Sequence, residues 1–193
     1  MDALNAAIGP EIWALANDTE AKISRQAIAV LQRINPDKAK LNQAADFVLD
    51  EKQRNVLRKE WLRLLRKWDL TLFTSVGVQV LSSKSTALRM VAAQELTEAE
   101  LGGSAVDNYL LATLKNSTDT VELQQAIKMI PRLTSKKYII EQLVKDLIAG
   151  RISPEIQLEV LETATTISRD SPGLKMQLEH YNNYINKQDI MTR

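Results

Sequence analysis

A repeated apolar triad limits what this chain can become. Residues at i, i+4 and i+8 fall on one face of an α-helix. Five such triads recur: Ile23-Ala27-Leu31, Leu57-Trp61-Leu65, Leu88-Ala92-Leu96, Leu123-Ile127-Pro131 and Ile156-Val160-Ala164, with proline in the third place of the fourth. Their starts lie 34, 31, 35 and 33 residues apart. A period in the low thirties holds two helices of about twelve residues and two turns, and is too short for three helices. One helical hairpin cannot bury its own apolar face, so such units stack on one another. Small residues at the middle place, Ala27 and Ala92, let neighbouring helices approach closely. The expectation is an all-α chain: a right-handed solenoid of about five helical hairpins. It treats residues 1–193 as a single repeat domain, either complete or cut from a larger multidomain protein.

Glycine and proline punctuate the periodic segments where helices begin and end. Gly9-Pro10, Asn35-Pro36-Asp37, Leu101-Gly102-Gly103-Ser104, Gly150 and Ser171-Pro172-Gly173 are the breaks. Ser153-Pro154-Glu155 reads as N-cap, first helical residue and an acid at the positive helix end. Helices are therefore predicted at 10–17, 20–34, 37–50, 52–68, 72–82, 85–97, 105–116, 119–133, 136–149, 154–167 and 173–186. Between Leu70 and Val80, Thr71, Thr74, Val76 and Val78 also suit a strand. A lone strand has nothing to pair with, which favours a helix.

Composition removes several function classes. The chain has 193 residues, 45% hydrophobic and 25% charged, enough to bury a core built from Leu, Ile, Val and Ala, since aromatics supply only 5%. Without cysteine there is no disulfide framework, thiolate metal site or cysteine nucleophile. A single histidine, His180, excludes a histidine-rich metal centre within this chain, and no cofactor is called for. A net charge of +1 gives no global attraction to nucleic acid or membrane. No apolar run approaches the roughly 20 residues of a membrane span. Met1-Asp2-Ala3-Leu4-Asn5 lacks the basic and apolar regions of a signal peptide, so the chain reads as cytoplasmic or as trimmed from something longer.

Two stretches go beyond periodicity. Leu143 to Ala164, LVKDLIAGRISPEIQLEVLETA, resembles the HEAT-like repeat region of large planctomycete-type exported proteins described as membrane-bound dehydrogenases with a haem-binding domain. Ser171 to Asp189, SPGLKMQLEHYNNYINKQD, looks like the helix that follows in that family. Ser85 to Leu96, STALRMVAAQEL, is similar to a general HEAT second helix, with Arg89 in the usual arginine place. The likeness covers about the last fifty residues. It implies a linker solenoid between a β-propeller and a small cytochrome c domain, near whose start Arg193 would fall, and an exported, periplasmic location. Lacking cysteine, this chain has no attachment for c-type haem, so that family's redox chemistry belongs to other modules.

The strongest local feature is basic. From Lys52 to Trp68, Lys52, Arg54, Arg58, Lys59, Arg63, Arg66 and Lys67 face the single acid Glu60. Leu57, Trp61, Leu64, Leu65 and Trp68 share one stripe, and Lys52, Lys59, Arg63, Arg66 and Lys67 lie opposite. Such a ridge can bind nucleic acid, lipid headgroups or an acidic protein. It can equally be a solvated face whose charges pair with nearby acids such as Asp46, Asp50 and Glu51. Trp61 and Trp68 read as core rather than as base-stacking platforms. Some HEAT-like proteins are DNA glycosylases, which directs attention to Trp61, Trp68 and Asp69, although their pattern is otherwise unmet.

The remaining candidates carry little chemistry. His180 has no Ser or Cys partner at triad spacing. Asp18-Thr19-Glu20 and Asp119-Thr120 read as cap or turn residues, and Glu155, Glu159 and Glu162 as an exposed helix face. Gly102-Gly103 lacks the lysine of a phosphate loop. The favoured expectation is a non-catalytic scaffold that docks another protein, or neighbouring domains of its own polypeptide. The second helix of each hairpin would line the concave side, where Arg25, Arg89, Gln125 and Gln157 would meet the partner. The alternative is nucleic-acid or other polyanion binding through helix 52–68.

Overall fold

The computed structural model describes residues 10–18, 20–133 and 135–191. Met1–Gly9, Thr19, Thr134, Thr192 and Arg193 lie outside the described residues. The regular elements are helices: α1 (10–16), α2 (Ala21–Leu31), α3 (Lys38–Leu49), α4 (Asn55–Trp68), α5 (Leu70–Val80), α6 (Thr86–Glu98), α7 (Gly103–Asn116), α8 (Thr120–Met129), α9 (Lys136–Ile148), α10 (Pro154–Ser168) and α11 (Pro172–Met191). A 3-10 turn, Ile130–Arg132, follows α8 at Pro131. No strand occurs among the described residues, and no helix there is long and apolar enough to cross a membrane.

Local chemistry explains the helix starts. Asp37 accepts the Lys40 amide at 2.8 Å ahead of α3, and Asp69 accepts that of Leu72 at 2.9 Å ahead of α5. Ser85 caps α6 through Leu88 N at 3.3 Å, and Asp119 caps α8 through Val121 N and Glu122 N. Ser153 occupies the cap position of α10 but caps nothing with its side chain, which donates to Glu155 Oε2 at 2.6 Å. Gly150, at φ +68°, ends α9 in the left-handed conformation, with Arg151 N returning to Asp146 O at 2.8 Å. The β-branched stretch from Leu70 is helical because Asp69 caps it and Phe73, Val76 and Val80 fall on one buried face. Gly77 lies on that face, where a Cβ would stand 3.2 Å from the Leu96 side chain, so its bareness permits the close approach of α5 and α6.

The chain divides after Gly102 into two compact units. In the first, α4 is central and packs against α2, α3, α5 and α6, while α5 also packs against α3 and α6. In the second, α10 takes the same role against α8, α9 and α11, and α7 packs on α8. Twelve of the fifteen triad positions are buried; Ile23, Leu123 and Pro131 are partly exposed. The triads thus form the contact face of α2, α4 and α6 in the first unit and of α8 and α10 in the second.

Candidate interaction surface

The residue that follows the first apolar place of each triad is Ser24, Arg58, Arg89, Gln124 or Gln157. All five donate a side-chain hydrogen bond to a main-chain carbonyl. Ser24 Oγ reaches Asp18 O at 2.6 Å, Arg58 Nε reaches Val48 O at 2.8 Å and Arg89 Nη1 reaches Ser83 O at 2.8 Å. Gln124 Nε2 reaches Glu155 O and Gln157 Nε2 reaches Ile152 O, both at 3.0 Å. The carbonyls of Asp18, Val48, Ser83 and Ile152 lie in turns or at a helix end, where intrahelical partners are lacking, and these side chains satisfy them; Gln124 instead ties α8 to the first turn of α10. Arg89 and Gln157, expected to meet a partner, are therefore engaged in holding turns; Arg89 also grips Lys84 O and Thr86 Oγ1. Arg25 and Gln125, one place further along their helices, are exposed.

Arg58 is the one charged residue of the five that is buried, 3% exposed in the first unit. Its guanidinium also donates to Asn55 Oδ1 at 3.1 Å and approaches Ser83 Oγ at 3.5 Å, tying the α3–α4 turn to the α5–α6 turn. Desolvation lowers its pKa, partly offset by Glu51 and then Asp50. The two carboxylates secure the same corner. Asp50 accepts from Lys52 N and Gln53 Nε2, both at 2.9 Å, and those bonds lower its pKa. Glu51 accepts from Lys84 N at 3.1 Å and pairs with Lys84 Nζ at 3.6 Å, which lowers its pKa as well.

The basic ridge of α4 is divided. Arg63 pairs with Glu60 at 3.3 Å and Glu95 at 3.0 Å. Arg66 pairs with Glu95 at 2.5 Å and Glu98 at 3.3 Å, and the Glu95 bond raises its pKa. The acids that meet Arg63 and Arg66 come from α6 and from Glu60, whereas Asp50 acts on Lys52 and, with Glu51, on Arg58. Lys52, Lys59 and Lys67 carry no ion pair among the described residues, and Lys52 and Lys67 are exposed.

All three tryptophans gather in the first unit. Trp13 stacks on Trp61 at 5.0 Å between ring centroids and on Trp68 at 5.8 Å. Phe47 lies 5.8 Å from Trp61, and Lys40 Nζ sits 4.8 Å over Trp13. Trp61 is buried as core, and Asp69 is occupied as the α5 cap, so these residues do not converge on an open groove. An open depression of about 400 Å³ on the first unit is lined by Leu70, Thr71, Thr74, Ser75 and Leu101, none of them titratable.

In the second unit, Glu122 was missed by the sequence reading. This buried carboxylate accepts from Tyr109 OH at 3.0 Å and Ser117 Oγ at 2.7 Å. Its place directly before a triad start was the available signal. Glu155 turns to Ser153, whose hydroxyl lowers its pKa, while Glu159 is half-buried and Glu162 and His180 are exposed. No cluster of His, Asp and Glu suited to a metal ion occurs among the described residues. No protein-family model, curated protein or solved structure matches this chain.

Proposed function

We propose that this chain is a non-catalytic helical-repeat scaffold, built from HEAT-like hairpins and serving as a docking or linker module for another protein or for neighbouring domains of its own polypeptide. One observation carries the repeat part of the proposal. Side-chain bonds that join one hairpin to the next span close to one period: Ser135 to Asp107 over 28 residues, Arg66 to Glu95 over 29, Gln124 to Glu155 over 31, Arg63 to Glu95 over 32, and Lys84 to Glu51 over 33. Units that contact their nearest neighbours are the mark of stacked repeats. The proposal extends to the modular exported redox proteins that the last fifty or so residues resemble, with this chain as their spacer.

Polar side chains along the repeat are turned to structural work, which leaves the outward helix faces for recognition. The test is a photo-crosslinking residue placed at Arg25 or at Gln125 of the full chain in host cells. Adducts to a defined protein or flanking domain are expected from these exposed places. Adducts to nucleic acid alone, or none from either place, would refute the scaffold role.

The polyanion reading keeps one observation in its favour: Lys52, Lys59 and Lys67 carry no ion pair among the described residues. It loses Arg63 and Arg66, whose charges are already met. Titration with short duplex DNA at two salt concentrations separates the two readings, because phosphate contacts weaken steeply with salt.

A further inference from the structure

We infer that α2 and α4 together present a cationic face that receives an acidic helical segment of a partner protein. This rests on the scaffold reading and names the chemistry of the partner. The repeat puts two rows of residues in equal places: Arg25, Ala29 and Arg33 on α2 and its following turn, and Lys59, Arg63 and Lys67 on α4. Each member of one row is 34 residues from its counterpart, the same offset that separates the first two triads. The two helices pack against each other. Lys59 is half-buried and the other five residues are exposed. Arg63 already holds Glu60 and Glu95, but Arg25, Arg33, Lys59 and Lys67 have no ion pair among the described residues. Neither row contains a carboxylate.

Four residues of helix advance about 6 Å, and packed helices lie about 8–10 Å apart. A third helix laid along the two rows has the same rise, so its carboxylates at i, i+4 and i+8 meet successive cations of a row. Ala29 leaves a low, uncharged floor between the charges of its row. Nucleic acid fits this face less well. The rows offer no aromatic side chain for stacking bases, and the tryptophans of this unit are stacked on one another. The chain's net charge of +1 supplies little of the long-range field that gathers a phosphate backbone.

The probe is a fluorescent, alanine-based helical peptide with glutamates at i, i+4 and i+8, titrated into the full chain at low and at physiological salt. Binding is expected at low salt and should weaken as salt rises. Paired reversal, Arg25→Glu with Lys59→Glu, should weaken it about tenfold or more. Lys67→Glu alone serves as a second variant at an exposed place, and the urea midpoint of each variant checks folding. A glutamine version of the peptide should not bind. Three results would overturn the inference: no binding at low salt, binding indifferent to the reversals, or tighter binding of a short DNA duplex than of the peptide. The scaffold role is judged separately by crosslinking, so a chain that crosslinks to a protein yet ignores the peptide refutes the acidic partner alone.

Discussion

Replacing Arg58 by alanine tests whether the corner between two turns is held by a buried guanidinium. The substitution removes the donor that Val48 O meets at 2.8 Å and those that reach Asn55 and Ser83. A buried acceptor left unmet costs about 1–3 kcal/mol. The aliphatic stem adds about 0.8 kcal/mol for each buried methylene lost. Against this, a cation that burial already disfavours no longer needs to be desolvated. The net expectation is a loss of about 2–4 kcal/mol. Arg58→Met keeps most of the stem and removes the charge, so it should lose about half as much. The three tryptophans all lie in the same unit, so their fluorescence during urea unfolding reports on the unit that contains Arg58. With a urea slope of about 1–3 kcal/mol per molar, Arg58→Ala should lower the midpoint by about 1–2 M. An unchanged midpoint in the alanine variant, or a methionine variant as stable as the parent, would refute the assignment.

Three further outcomes follow from the same geometry. The pKa values of Asp50 and Glu51 are lowered from ordinary values of 3.8 and 4.5. Their stabilisation is therefore present above those values and is lost as pH falls through the lowered folded ones; Asp50→Asn with Glu51→Gln should flatten the acid limb of a fluorescence-monitored stability profile. Glu122→Ala removes the acceptor that the Tyr109 and Ser117 hydroxyls share and should cost about 2 kcal/mol, read by circular dichroism, because the second unit has no tryptophan. Glu100 adopts φ 58° just past α6, so Glu100→Gly should raise stability by about 0.5–1 kcal/mol in urea unfolding.

Much of the secondary structure was legible because period and punctuation agree. Pro10, Asp37, Ser85, Asp119 and Pro154 mark helix starts, and the apolar triads mark the faces that bury. Even Leu70–Val80 was decided by an argument available from the sequence, the lack of a second strand. The polar wiring was not legible. Proximity along the chain pointed to Asp46, Asp50 and Glu51 as partners for the basic ridge, whereas Arg63 and Arg66 reach Glu95 and Glu98 about one repeat away. These partners come from a different helix far along the chain, so inspection of adjacent residues misassigns them. Arg58, left off the ridge face in the sequence reading but given no role there, directly follows Leu57 and turns toward the corner. Arg89 and Gln157 occupy that same place in their own repeats, and the regularity becomes visible once the triads are aligned.

Bonds that reach only about one period have a consequence for failure and recovery. Closing a loop of about thirty residues costs little more entropy than closing one of fifteen, so assembly can begin at any hairpin and spread stepwise. Damage stays correspondingly near its origin. A lesion at Glu122 should loosen the contacts of α7 and α8 before those of more distant helices.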